Sequence, residues 1–176
     1  YLQAVVADCR TMRLVGLNPQ AADPSHGGLT LESLYISLDP HVIESEGGHP
    51  ISALDALSTA KNGKVVLLGL PGTGKSTFVR YLALRMALAE LNRNQSVQTL
   101  LPNWLGDTVL PVIISLGRMA ETIPPNCRQG SAALIEKYIL QMLQGDERAV
   151  AFSDHILSEL KRSGGLVLFD GLDEVA

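Results

Sequence analysis

The chain has 176 residues, of which 46% are hydrophobic and 18% are charged. At about 150 residues per domain this length predicts one domain or slightly more, and the apolar fraction excludes a disordered, collagen-like or disulfide-built chain. Lys and Arg number 14 against 18 Asp and Glu, which gives a net charge of −4. We therefore expect neither a nucleic-acid partner nor a membrane surface, since both attract basic patches.

The apolar runs and the cysteines restrict the cellular setting. The longest runs, such as Val65–Leu68, are far shorter than the about 18 residues that a membrane helix needs. Cys9 and Cys127 are far apart in the sequence and have no metal or redox spacing. We expect a cytoplasmic protein. Because the chain begins at Tyr1 and ends just after an acidic motif, we also expect it to be a fragment.

Residues 1–50 are predicted to be a lead-in segment made of a helix, a loop and a short strand. Apolar residues at helical spacing predict a helix over the first dozen residues. The stretch from Asn18 to Gly28 is rich in Pro, Gly, Asp and Ser and predicts a loop. Alternation over Leu34–Leu38 predicts a strand. A short helix is then predicted over Ile51–Ala60, with Ser52 as its N-cap.

From Lys64 onward, strands and helices alternate. Val65–Leu68 is a continuous apolar run, as expected of a strand that is buried on both faces. A long helix is predicted from about Gly74 to Leu91, with one apolar face formed by Phe78, Val79, Leu82, Met86 and Ala89. Val109–Leu116 predicts a second buried strand, in which Pro111 is tolerable near the start or at an edge.

The last third of the chain continues this alternation. Helices are predicted over Ala132–Leu143 and Ala149–Lys161, and Gly164–Gly165 ends the second one. Leu166–Phe169 is a third apolar strand, which ends at Asp170. Strands that alternate with helices predict an α/β fold with a parallel sheet.

The segment from Gly69 to Ser76 reads GLPGTGKS and matches the phosphate-loop (P-loop) pattern G-x-x-x-x-G-K-[ST]. Its glycines let successive N–H groups point into one anion-sized hollow, while Lys75 brings a charge to the β- and γ-phosphates. The Ser76 hydroxyl is suited to Mg²⁺, and the helix that follows directs its positive end at the phosphates. The predicted nucleotide-binding residues are Gly69, Leu70, Pro71, Gly72, Thr73, Gly74, Lys75, Ser76 and Thr77.

A second motif, DGLDE, follows the third strand. Asp170 ends an apolar strand, which is the pattern that holds Mg²⁺ opposite a P-loop Ser or Thr. The predicted magnesium ligands are therefore Ser76 and Asp170. A second carboxylate a few residues further on is suited to polarise an attacking water, as a general base does, with Asp173 as the first candidate and Glu174 as the second. The predicted catalytic residues are Lys75, Asp173 and Glu174.

With GLPGTGKST and LVLFDGLDE together, the chain resembles the NACHT family of P-loop NTPases over residues 51–176. The predicted strand at Leu110–Leu116, which Arg118 follows, is also similar to that family's second core strand. The resemblance implies a three-layer P-loop fold with a parallel sheet, truncated here before the remaining core strands. It implies a switch that binds ATP or ADP with Mg²⁺, hydrolyses ATP slowly and gates self-oligomerisation. The effector and sensor regions would lie outside this chain, and the setting would be innate or anti-phage defence.

Two other functions remain open from the sequence. One is a nucleotide-binding scaffold without meaningful turnover, in which ADP is structural. The other is a remodelling ATPase of the AAA+ type, which the DGLDE motif disfavours. No guanine-selecting N-K-x-D motif occurs in the chain, but such a motif could lie outside it, so the sequence leaves the choice between ATP and GTP open.

Overall fold

The computed structural model describes residues 1–10, 30–31, 35, 52–60, 63–92, 96–102, 104–105, 107, 109–127, 129–144, 150–151 and 153–175. They form two compact units, which are Leu2–Thr108 (the loop unit) and Tyr1 with Val109–Ala176 (the sheet unit). Within the described residues the chain combines helices with a two-stranded parallel sheet. This agrees with the α/β class expected from the sequence.

The loop unit is helical in its described parts. Its helices are α1 (Leu2–Arg10), α2 (Ala53–Thr59), α3 (Lys75–Leu91) and α4 (Val97–Leu100). The predicted helices at the N-terminus, at 51–60 and at 74–91 are thus confirmed. α2 begins where predicted because the Ser52 hydroxyl accepts the N–H of Asp55 at 3.0 Å.

The predicted loop at 18–28 lies outside the described residues, as does nearly all of the predicted strand at 34–38. Tyr35 is the described residue of that span, and it is not in a strand. Its N–H donates to the carbonyl of Leu31 at 2.9 Å. A hydrogen bond over four residues is helical in spacing and does not belong to a strand ladder.

Helix α3 is buried on more than the predicted single face. Leu82, Ala83 and Leu84 are consecutive and all have 0% exposure, although consecutive helical side chains point in different directions. α1 and α4 both pack against α3. The helix is therefore the centre of its unit, and periodicity alone underestimated its burial.

The prediction of a buried strand at Val65–Leu68 is wrong for the described structure. Residues 64–70 have no strand assignment, and Val66 and Leu68 are 75% and 71% exposed. A buried strand needs neighbouring strands to take up its backbone N–H and C=O groups. In the part of the chain that the structure describes, no strand pairs with this segment.

The sheet unit contains two strands with helices between them in sequence. In chain order its elements are β1 (Leu110–Ser115), α5 (Leu116–Thr122), α6 (Ala132–Leu143), α7 (Ser153–Arg162), β2 (Gly165–Asp170) and a 3-10 turn (Leu172–Glu174). β1 and β2 pair in parallel, from Leu110 opposite Gly165 to Ser115 opposite Asp170. The second and third predicted strands and their parallel arrangement are thus confirmed.

Two boundaries differ from the sequence prediction. Leu116 belongs to α5 rather than to β1, because the Ser115 side chain caps a new helix and accepts the N–H of Arg118 at 3.5 Å. α7 starts at Ser153 rather than at Ala149, and residues 145–149 lie outside the described structure. It ends at Arg162, one residue after the predicted Lys161, and Gly164, with φ +80°, then turns the chain into β2.

The core of the sheet unit lies between β1 and the helices. It comprises Val112, Ile114, Met119, Tyr138, Ile139, Leu143 and Ile156. Pro111 fits near the strand start, and its carbonyl accepts the Tyr1 hydroxyl at 2.7 Å. β2 is more open than β1, since Phe169 is 46% exposed while its register partner Ile114 is fully buried. Among the described residues, no helix has the length and apolarity needed to cross a bilayer.

Candidate functional site

The glycine loop has a backbone that side chains would disturb. Gly72 and Gly74 have φ angles of +78° and +88°, in the left-handed region that favours glycine. A Cβ at Gly69 would lie 2.9 Å from the Thr73 hydroxyl oxygen, which is closer than real Cβ atoms approach. All three glycines that the sequence pattern singled out therefore have a conformational or steric reason to be glycine.

A turn inside the loop fixes its path. The N–H of Thr73 donates to the carbonyl of Leu70 at 3.3 Å, and the Thr73 hydroxyl donates to the same oxygen at 2.8 Å. Leu70 and Pro71 are both exposed. Leu70 would contribute to binding through its backbone N–H, because N–H groups in consecutive turns form anion-binding concavities, whereas Pro71 has no N–H and contributes only its fixed φ angle.

Lys75 reaches back over this loop. Its Nζ donates to the carbonyl of Gly69 at 2.8 Å and to that of Leu70 at 2.9 Å. An ammonium carries three donor hydrogens, so an amine held by two carbonyls retains capacity for another acceptor. The cation is thereby fixed across the loop, six residues from the Gly69 carbonyl that holds it.

Helix α3 starts directly under the loop. Gly74 is its N-cap and provides no side-chain cap, while the Gly74 carbonyl accepts the N–H of Phe78 at 2.8 Å. The first N–H groups of a helix lack intrahelical acceptors and carry the positive end of its dipole. No acidic residue lies in this first turn. The residues from Gly69 to Thr77 therefore fit a phosphate group in conformation and in charge.

The acidic motif lies at the carboxyl edge of the sheet. Asp170 is the last residue of β2 and is half-buried. Gly171 then takes a φ of +81° and turns the chain into the 3-10 turn at 172–174. Asp173 is exposed on that turn. Oxygen ligands of this kind suit Mg²⁺, so the chemistry of Asp170 fits the predicted metal.

The register of the sheet adds a residue that the sequence reasoning missed. Ser115 is opposite Asp170 at the ends of the two strands. α5 begins immediately after Ser115, carries Arg118 in its first turn and contacts the 3-10 turn of Asp173. Only the pairing of β1 with β2 reveals this juxtaposition, because Ser115 and Asp170 are 55 positions apart in the sequence.

The predicted site residues thus form two sets. The loop set, Gly69–Thr77, belongs to the loop unit, while Asp170, Asp173 and Glu174 belong to the sheet unit. The two predicted magnesium ligands, Ser76 and Asp170, come from different sets. Across the described ranges, no three His, Cys, Asp or Glu side chains form a group that could hold a metal ion.

These two sets are the chemical features on which a functional interpretation depends. Each combines a left-handed glycine with charged side chains beside it, namely Gly74 with Lys75 and Gly171 with Asp170 and Asp173. Comparisons of the chain with protein-family models, with curated proteins and with solved structures found no match.

Proposed function

We propose that this chain is the nucleotide-binding part of a NACHT-type P-loop NTPase that acts as a signalling switch. The observation that carries the proposal is the glycine loop. Its left-handed Gly72 and Gly74, its tethered Lys75 and the start of α3 all occur within the GLPGTGKS motif. A phosphate chain is the ligand that such a loop binds best.

In this proposal the loop binds the phosphates of ATP or ADP. The backbone N–H groups of Leu70 and of residues 72–77 surround them, and Lys75 brings its positive charge to the β- and γ-phosphates. Ser76 and Asp170 would hold Mg²⁺ through their oxygens. When bound, the magnesium ion neutralises charge on the reacting phosphates.

Hydrolysis in this proposal depends on the acidic turn. Asp173 positions a water and accepts its proton, as a general base does. Its exposure on the 3-10 turn leaves the carboxylate accessible to water. Glu174, the next residue, is the second candidate for the same role.

The proposed fold is the three-layer P-loop NTPase architecture over residues 51–176, preceded by a lead-in segment over residues 1–50. The parallel pairing of β1 with β2, which α5, α6 and α7 separate in sequence, supports it. Parallel strands of this kind need crossover connections. Asp170 at a strand's carboxyl end also lies where open α/β sheets bind ligands.

At the level of the whole protein we propose exchange of ADP for ATP, followed by self-oligomerisation and activation of an effector in cytoplasmic defence. Slow hydrolysis would then return the switch to its resting state. The residues that would support this cycle are those of the glycine loop, Gly69–Thr77, and those of the acidic motif, Asp170, Asp173 and Glu174. The sensor and effector regions are proposed to lie in other parts of the protein.

The test replaces Asp173 by Asn in the full-length protein, which removes the base and preserves the size of the side chain. We expect ATP turnover to fall by about 100-fold or more, with binding of Mg·ATP unchanged. Glu174→Gln is the matched comparison and should have the smaller effect. A wild-type rate that is negligible and unchanged in both variants would instead favour a nucleotide-binding scaffold.

A further inference from the structure

The side chain of Thr73 forms a hydrogen bond within the glycine loop that the sequence pattern does not require. The pattern leaves position 73 open to any residue, and the proposed function uses only the backbone N–H of Thr73. Yet the Thr73 hydroxyl donates to the carbonyl oxygen of Leu70 at 2.8 Å. Because Thr73 is exposed, water could satisfy its hydroxyl equally well, and the need to pair a buried group does not explain this bond.

The Leu70 carbonyl oxygen is shared by three donors. It accepts the Thr73 hydroxyl, the Thr73 N–H at 3.3 Å and the Lys75 Nζ at 2.9 Å. Two of these donors, the N–H and the ammonium, are groups that the proposed function assigns to phosphate. A charged phosphate oxygen is a stronger acceptor than a carbonyl, so both donors are expected to turn toward it when a nucleotide binds. The hydroxyl is the donor that stays with the Leu70 carbonyl.

The turn at 70–73 would then depend on this hydroxyl. A four-residue turn is normally closed by an N–H that donates to the carbonyl three residues earlier, as the Thr73 N–H does to Leu70. The hydroxyl closes the same turn between the same two residues, so the N–H can be used for a ligand without opening it. Keeping the turn closed also matters for charge, since a Leu70 carbonyl oxygen turned toward the phosphates would repel them.

Gly69 leaves the space that the Thr73 hydroxyl occupies. A Cβ at Gly69 would lie 2.9 Å from the hydroxyl oxygen, but 3.8 Å from both the Thr73 Cβ and the Lys75 Cδ, which is ordinary contact. The steric requirement for glycine at position 69 therefore comes from the hydroxyl. The first glycine of the motif and the Thr73 side chain fit each other.

We infer that Thr73 is a positioning residue for nucleotide binding, because its hydroxyl keeps the turn at 70–73 closed while the Thr73 N–H and Lys75 bind phosphate. The inference rests on the proposed function, which takes the glycine loop as the phosphate site. The hydroxyl itself does not contact phosphate and acts through the Leu70 carbonyl. A loop that is already held in its binding conformation loses less conformational entropy when a ligand binds, so the hydroxyl raises the affinity for nucleotide.

The experiment measures the dissociation constant of Mg·ADP by calorimetry on the full-length protein. Thr73→Val removes the hydroxyl and keeps the branched shape of the side chain. We expect it to weaken Mg·ADP binding by about 3- to 10-fold, which corresponds to the usual net value of one hydrogen bond. Thr73→Ser retains the hydroxyl and should bind Mg·ADP within about twofold of the wild type.

Thr59→Val is the matched control, because the Thr59 hydroxyl donates in the same way to the carbonyl of Asp55 at 2.7 Å, on an exposed part of the same unit. It should bind Mg·ADP as the wild type does. Both valine variants change exposed side chains and should unfold at urea concentrations close to that of the wild type, so a change in affinity reports on the loop.

Three outcomes would overturn the inference while the proposed function stands. They are an unchanged affinity in Thr73→Val, an equal loss in Thr73→Ser and an equal loss in Thr59→Val. A wild-type protein that binds neither Mg·ADP nor Mg·ATP would instead contradict the proposed function.

Discussion

The Lys75 ammonium illustrates what can be predicted for a single residue. The motif predicts a lysine beside phosphates, but the hydrogen bonds to the Gly69 and Leu70 carbonyls become apparent only when the loop is folded. The positive φ angles of Gly72 and Gly74 are likewise foreseeable, because the pattern requires glycine where N–H groups converge. Short-range chemistry of this kind is encoded within a few neighbouring residues.

The two cysteines give a prediction at the same scale. Cys9 is buried, and burial raises the pKa of its thiol from 9.0 to about 11, whereas Cys127 is exposed. At pH 8 a thiol with a pKa of about 11 carries about one-hundredth of the thiolate expected at the ordinary value. We expect a thiol reagent to label Cys127 quickly and Cys9 slowly, with the rate at Cys9 rising as the pH approaches 11.

Single variants check this assignment. In Cys127→Ser only the slow phase of labelling should remain, and in Cys9→Ser only the fast phase should remain. Two equally fast phases in the native wild-type protein would contradict the burial of Cys9 against α3. Unfolding in urea should make both thiols react fast, which sets the reference rate.

At the scale of elements, helix caps offer a matched pair. The Ser52 hydroxyl accepts a backbone N–H of α2, while Ser131 is the N-cap of α6 without a side-chain hydrogen bond. We expect Ser52→Ala to lower the free energy of unfolding by about 1 kcal/mol, the usual value of a side-chain cap. Ser131→Ala should cost clearly less, about 0.5 kcal/mol or below. Urea titrations of both variants measure the difference, and equal losses would contradict the assigned caps.

The elements also show where sequence patterns stop being informative. α6 matches its predicted limits of Ala132–Leu143, because its apolar periodicity and flanking residues are local signals. Val65–Leu68 has an equally apolar pattern and yet is exposed and unpaired among the described residues. Pairing depends on a neighbouring strand, which periodicity cannot supply. The full burial of Ala83 and Leu84 depends in the same way on helices that are distant in sequence.

In the candidate site, too, features within one short run of residues could be predicted, whereas contacts between residues distant in sequence could not. The sequence identifies the glycine loop and the acidic motif, since each is a compact run of residues. It does not identify Ser115 as the partner of Asp170, which requires the register of a parallel sheet. The placement of Arg118 near the Asp173 turn also requires the packing of α5.

At the scale of the whole molecule, the two motifs occupy different units, and the proposed switch requires both to act on one nucleotide. Lys75, Ser76 and the loop belong to one unit, while Asp170 and Asp173 belong to the other. Binding through the loop is the first condition of that account. Magnesium binding and ATP hydrolysis both depend on it.

The most direct test is therefore the nucleotide content of the full-length protein as purified. We expect ADP to accompany the wild type and Lys64→Ala, which removes an exposed lysine just before the loop, and to be absent from Lys75→Ala. That result would establish the glycine loop as a working phosphate site. If no variant carries nucleotide, and the wild type binds neither added ATP nor GTP with Mg²⁺, the account is contradicted.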